Sequence, residues 1–121
     1  MPARQYDRLI PGSEFSVAVR SEGAAQVVVV HGDVDLATAD VLRAEIRTAS
    51  EKAPIVVLDL REVSFMDTQG LAVVIEAQQA AAEADRRFAI TRAPEEVHRL
   101  FDMIGLTPRL TIVDDPAAAG S

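Results

Sequence analysis

Val56-Val57-Leu58-Asp59-Leu60-Arg61-Glu62-Val63-Ser64-Phe65-Met66-Asp67-Thr68-Gln69-Gly70-Leu71 passes from an apolar run through a short polar turn to an aspartate, a hydroxyl and a new apolar period. The apolar run predicts a buried strand over residues 55–60. Asp67 and Thr68 are both residue types that begin helices, and Leu71, Val74, Ile75 and Gln78 then lead into Ala80-Ala81-Ala82. A helix N-terminus offers unpaired N–H groups and the positive end of a dipole, which favours an anion there. Thr68 therefore stands where an added phosphate can be stabilised. A plain helix cap explains the same residues, and the two roles are compatible because both use the same N–H groups.

Upstream, Phe15, Val17 and Val19 alternate with polar residues, which suits a half-exposed strand over 15–20. A turn at 21–24 joins it to the β-branched run of residues 26–31, so the pair reads as a hairpin. Ala39, Leu42, Ile46 and Ala49 form a helical stripe, which Pro54 ends. Downstream, residues 87–91 read as a short strand. Pro94 opens a third helix with Val97, Leu100, Phe101 and Ile104 on one face. Gly105 suits its C-terminus, Pro108 blocks continuation, and residues 110–113 form a last strand. The order ββαβαβαβ predicts an α/β fold: a mixed sheet with an antiparallel hairpin at its start and three main helices. The expected domain covers 14–113, with flexible tails at 1–13 and 114–121.

With 121 residues, 49% of them hydrophobic, the chain has material for one core and not comfortably for two. Cysteine is absent, which removes disulfides, thiolate nucleophiles and Cys-ligated zinc and fits a reducing cytoplasm. No apolar run approaches the ~20 residues of a membrane helix. A net charge of −7 without a basic stripe disfavours direct nucleic-acid binding.

His31-Gly32-Asp33-Val34-Asp35 follows a strand, where acidic residues can hold Mg²⁺ or act as a nucleophile. The alternative is a solvated loop in which Asp35 caps a helix starting near Ala37. His31 and His98, the only histidines, lie in no metal spacing, so surface roles are expected. Lys52 is the only lysine, which weakens phosphoryl-transfer readings that need a cation on the phosphate. No cofactor motif or metal site is indicated.

Three segments resemble the STAS domain, in particular the stand-alone anti-sigma factor antagonists of bacteria. Gly32-Asp33-Val34-Asp35-Leu36-Ala37-Thr38 is similar to the family's turn before its first helix. Leu58-Asp59-Leu60 through Phe65-Met66-Asp67-Thr68-Gln69-Gly70-Leu71 is similar to its signature, and Arg99-Leu100-Phe101-Asp102-Met103-Ile104-Gly105-Leu106 to a third motif. The resemblance runs from about Phe15 to Val113. It implies a non-enzymatic protein that, unphosphorylated, binds an anti-sigma factor with Ser/Thr kinase activity and frees an alternative sigma factor.

The hydroxyl after the motif aspartate would be the phosphate acceptor, here Thr68, and a phosphatase would reverse the modification. The implied partner face comprises Asp33, Asp35, Met66, Asp67, Thr68, Gln69, Gly70 and Leu71. Two departures stand out: Thr68 replaces the usual Ser, and Gln69 replaces a second hydroxyl residue. The alternatives are a STAS module of another regulatory or transporter-associated assembly and a phospho-receiver domain. The receiver needs a strand-end lysine that this sequence does not supply.

Overall fold

The computed structural model describes residues 8–9 and 14–120. Six strands form one sheet in the spatial order β1-β2-β3-β4-β5-β6: Arg8–Leu9, Ser16–Glu22, Ala25–Val34, Ile55–Met66, Arg87–Thr91 and Ile112–Val113. β1, β2 and β3 are antiparallel neighbours, while β3 to β6 are parallel. The connections carry α1 (Ala39–Lys52), α2 (Thr68–Glu83) and α3 (Glu95–Met103), and a short α4 (Pro116–Gly120) follows β6. The expected mixed α/β sheet with an initial hairpin and three main helices is what the chain forms.

Strand residues point alternately to the two faces, so one strand feeds two cores. Val28, Val30 and Leu58 belong to the main core, with Leu42 and Ile46 of α1, Val73 and Val74 of α2, and Val97 and Phe101 of α3. Val27, Val29 and Val57 belong to a smaller cluster on the other face, with Ala119 of α4. Residues 15–18 of the first expected strand are all buried rather than half-exposed.

Several boundaries differ from the sequence reading, each for a visible reason. β3 runs on to Val34, so Asp33 lies in a strand and not in a loop. β4 continues to Met66, because β3 pairs with it through two register shifts that absorb the polar residues expected to form a turn. The last strand is only Ile112–Val113, because a 3₁₀ turn occupies Thr107–Arg109. Of the expected N-terminal tail, Arg8–Leu9 pairs with β2 as a strand, and the remainder lies outside the described residues. Within the other expected tail, the Asp115 carboxylate accepts the Ala117 N–H at 3.0 Å and starts α4, whose Ala119 is buried.

A buried polar cluster ties β4 to β5. The Thr91 hydroxyl accepts the Leu60 N–H at 2.8 Å and donates to Asp59 Oδ1 at 3.1 Å, while Arg61 grips both Asp59 oxygens at 2.9 and 2.7 Å. Burial pushes the Asp59 carboxyl up, but the hydrogen bonds and charge of Arg61, aided by Thr91, outweigh it and hold the pKa below the ordinary value. Such a group contributes stability above its unfolded pKa, and that contribution is lost as pH falls through the lower folded value. Asp59→Asn is expected to cost about 1–3 kcal/mol at neutral pH. Its difference from the wild type should shrink as pH drops below the ordinary aspartate value of 3.8. Urea denaturation at several pH values reads this, and a pH-independent difference would exclude the ionised pair as its source.

Candidate functional site

The parallel register Asp33↔Phe65 and Val34↔Met66 brings the ends of β3 and β4 side by side. The Asp67 N–H donates to the Val34 carbonyl at 3.1 Å, pinning the start of α2 to the end of β3. Asp67 is the cap residue: its Oδ1 accepts the Gln69 N–H at 2.8 Å and the Gly70 N–H at 3.3 Å. Thr68 is the first residue of α2 and is exposed. Two of the N–H donors expected to await a phosphate are therefore already taken by Asp67. What remains for an added phosphate is the positive end of the α2 dipole, with the Asp67 carboxylate beside it. Asp67→Ala is expected to cost about 1 kcal/mol, seen as a lower midpoint in thermal denaturation with the sheet intact.

Asp33 and Asp35 flank this start. The Thr38 side chain, almost wholly buried, ties the end of β3 to the turn that follows it. Its hydroxyl donates to the Asp33 carbonyl at 2.9 Å and accepts the Asp35 N–H at 2.9 Å. Asp35 Oδ1 accepts the Ala37 N–H at 3.0 Å, so it caps a turn ahead of α1, which begins at Ala39 rather than near Ala37. Among the described residues, no three acidic or imidazole side chains converge as metal ligands.

The eight expected face residues separate into two sets. Asp33, Asp35 and Asp67 are half-buried, and Thr68 and Gln69 are exposed, all at one end of the sheet. Met66, Gly70 and Leu71 are buried, contrary to a role in direct contact. A Cβ on Gly70 would lie 2.5 Å from Met66 Cγ and 3.0 Å from the Val34 carbonyl. Gly70 thus lets the first turn of α2 sit flat on the strand ends.

In their place the structure exposes Leu36 (76%) and Phe65 (52%), two large apolar side chains next to the acidic ones. Phe65 alternates with buried Met66 in β4, and Leu36 lies outside the α1 stripe, so both departures from the apolar period were visible signals. His98, expected on a polar surface, is half-buried and accepts the Ala93 N–H at 2.8 Å. Lys52 ends α1 just before β4 begins, at the opposite end of the sheet from Asp67.

The family model described as "Mlab, STAS domain" matches residues 17–113. The chain is a STAS-domain protein. It belongs with the anti-sigma factor antagonists of that family. The chain is 30% identical over 95 residues to the anti-sigma F factor antagonist of Paenibacillus polymyxa, covering 77% of this chain and 81% of that one. Its backbone matches an anti-sigma factor antagonist from Mycobacterium paratuberculosis with a TM-score of 0.79 at 21% identity, over 92% and 95% of the two chains. It also matches the Bacillus cell fate determinant SpoIIAA in its phosphorylated form, with a TM-score of 0.65 at 20% identity over 86% and 95%. These two likenesses speak for the fold. No described helix of this STAS protein is long and apolar enough to cross a membrane.

Proposed function

We propose that this STAS protein acts in the cytoplasm by binding, not catalysis: unphosphorylated, it engages an anti-sigma factor with Ser/Thr kinase activity and so frees an alternative sigma factor. Phosphate on Thr68 blocks that engagement, and a phosphatase restores it. The observation carrying this reading is that Thr68, a hydroxyl residue, is exposed at the first position of α2, at the same end of the sheet as Asp33, Asp35 and Asp67. Leu36 and Phe65 supply apolar anchors beside this acidic rim, the usual composition of a docking face. Family membership supports the general role.

The switch works by charge. A phosphate adds about −1.5 to −2 at neutral pH. The α2 dipole tolerates it, but an interface that must desolvate it beside three carboxylates does not. No change of fold is required. The Thr68 methyl crowds its hydroxyl and Gln69 offers no second one, so phosphorylation is expected to be slow.

Capture of partners from cells, with mass spectrometry of the bound protein and of Thr68, tests the reading. Recovery of an anti-sigma factor that transfers phosphate from ATP to Thr68 is the expected result. Recovery of a transporter or stress-sensing assembly instead would assign this module to a different class.

A further inference from the structure

A cavity of about 390 Å³ opens between α1 and α2, at the end of the sheet where β4 and β5 begin. Its floor is apolar: Ile46 and Val56, Val73 and Ala77, and the half-buried Phe88. Its rim carries four arginines and two glutamates, Glu51 and Glu76, on a chain whose net charge is −7. Two of the four have structural duties. Arg43 pairs with Asp40 and Glu76, and Arg86 donates to the Ser50 and Ala53 carbonyls and closes the end of α1. Arg47 and Arg87 have no side-chain partner among the described residues. A guanidinium left unpaired beside an apolar cleft favours an anion there, because nearby low-dielectric walls strengthen the attraction.

The geometry points to a binding site for a small monoanionic amphiphile, a carboxylate carried on an apolar body, seated in the α1–α2 groove with its head between Arg47 and Arg87. The volume lies in the range of small-molecule sites, and the apolar floor with a few charged groups at the rim is their usual make-up. A monoanion is favoured over a dianion because α1 and α2 both end here, and the negative ends of their dipoles oppose a second charge. The site is separate from Thr68. Thr68 does not line the groove, and Val73, the α2 lining residue nearest to it in sequence, comes five positions later, roughly 7.5 Å along the helix axis.

Decanoate, decanol and decyltrimethylammonium, titrated separately into ¹⁵N-labelled full-length protein below their micelle concentrations, test the proposal. Decanoate is expected to bind saturably with a Kd on the order of 0.1 mM. The shifted amides should centre on Arg47, Ala77, Ala81 and Phe88, with decanol at least about tenfold weaker and the cation silent. Arg47→Ser with Arg87→Ser should weaken decanoate by about tenfold or more, and both sites are free of structural hydrogen bonds through their side chains. Ala80→Phe, which places a ring at the groove while leaving every charge, should abolish binding. Equal affinity for decanol and decanoate, shifts centred elsewhere, or no saturation at millimolar decanoate would each overturn the site. So would full affinity in the arginine double variant.

Discussion

Thr68→Glu is expected to weaken binding to the captured anti-sigma factor by about tenfold, and stoichiometric phosphorylation by a few hundredfold, while Thr68→Ala binds as the unmodified protein does. The larger figure corresponds to roughly 3–4 kcal/mol for desolvating a dianion beside existing carboxylates. Glutamate carries one charge, placed less compactly, and so falls short of the phosphate. An unfolding artefact is separable by sign. A negative side chain at the first position of α2 meets the positive end of its dipole, so Thr68→Glu should leave thermal stability equal or raised by up to about 0.5 kcal/mol. Affinity falls while stability does not. Isothermal titration of the three forms, with parallel melting curves, measures both. Equal affinity of the alanine and glutamate variants would remove the charge switch.

Gly32→Ala is expected to destabilise the domain by about 3–5 kcal/mol. Gly32 holds a φ of +94°, which side chains rarely adopt. An added Cβ would overlap the Glu14 carbonyl oxygen, lie 2.6 Å from its carbon and 3.1 Å from Phe15 Cα. Those neighbours are backbone, so relief requires moving the start of β2 away from β3. Gly105 supplies the control: its φ is +71°, but nothing lies within 4 Å of the added Cβ. Gly105→Ala should therefore cost only the conformational penalty, about 1 kcal/mol. Urea denaturation of both variants distinguishes the clash from the strain, and similar losses at the two positions would discount the contact with Glu14. Gly32 lies in β3 just ahead of Asp33, so its geometry also sets the approach of the chain to the acidic rim.

The fold was legible where periodicity is unambiguous. Ala39, Leu42, Ile46 and Ala49 are the buried stripe of α1, as their spacing predicts. The β-branched run of residues 26–31 predicts a strand paired in a hairpin, and residues 27–30 are buried on both faces of the sheet in β3. The reading failed where polar residues hide continued pairing. Arg61, Glu62 and Ser64 look like a turn, but each register shift against β3 lets β4 continue with those side chains turned outward. It failed again at α4, where a run of alanines resembles a frayed tail until Ala119 is seen against the second face.

The candidate site divides along the same line. Asp67 followed by Thr68 ahead of an apolar period determines a capped helix start with a hydroxyl on its first turn, because capping and period are local properties of the chain. Only the tertiary structure decided that Met66, Gly70 and Leu71 lie beneath that turn while Leu36 and Phe65 stand beside it. Which side of a residue meets solvent depends on the pairing of β3 with β4, a contact between segments some thirty residues apart. The groove between α1 and α2 belongs to the second kind as well. Four arginines and two glutamates scattered through the sequence become one charged rim only when two helices and two strand starts close around a common apolar floor.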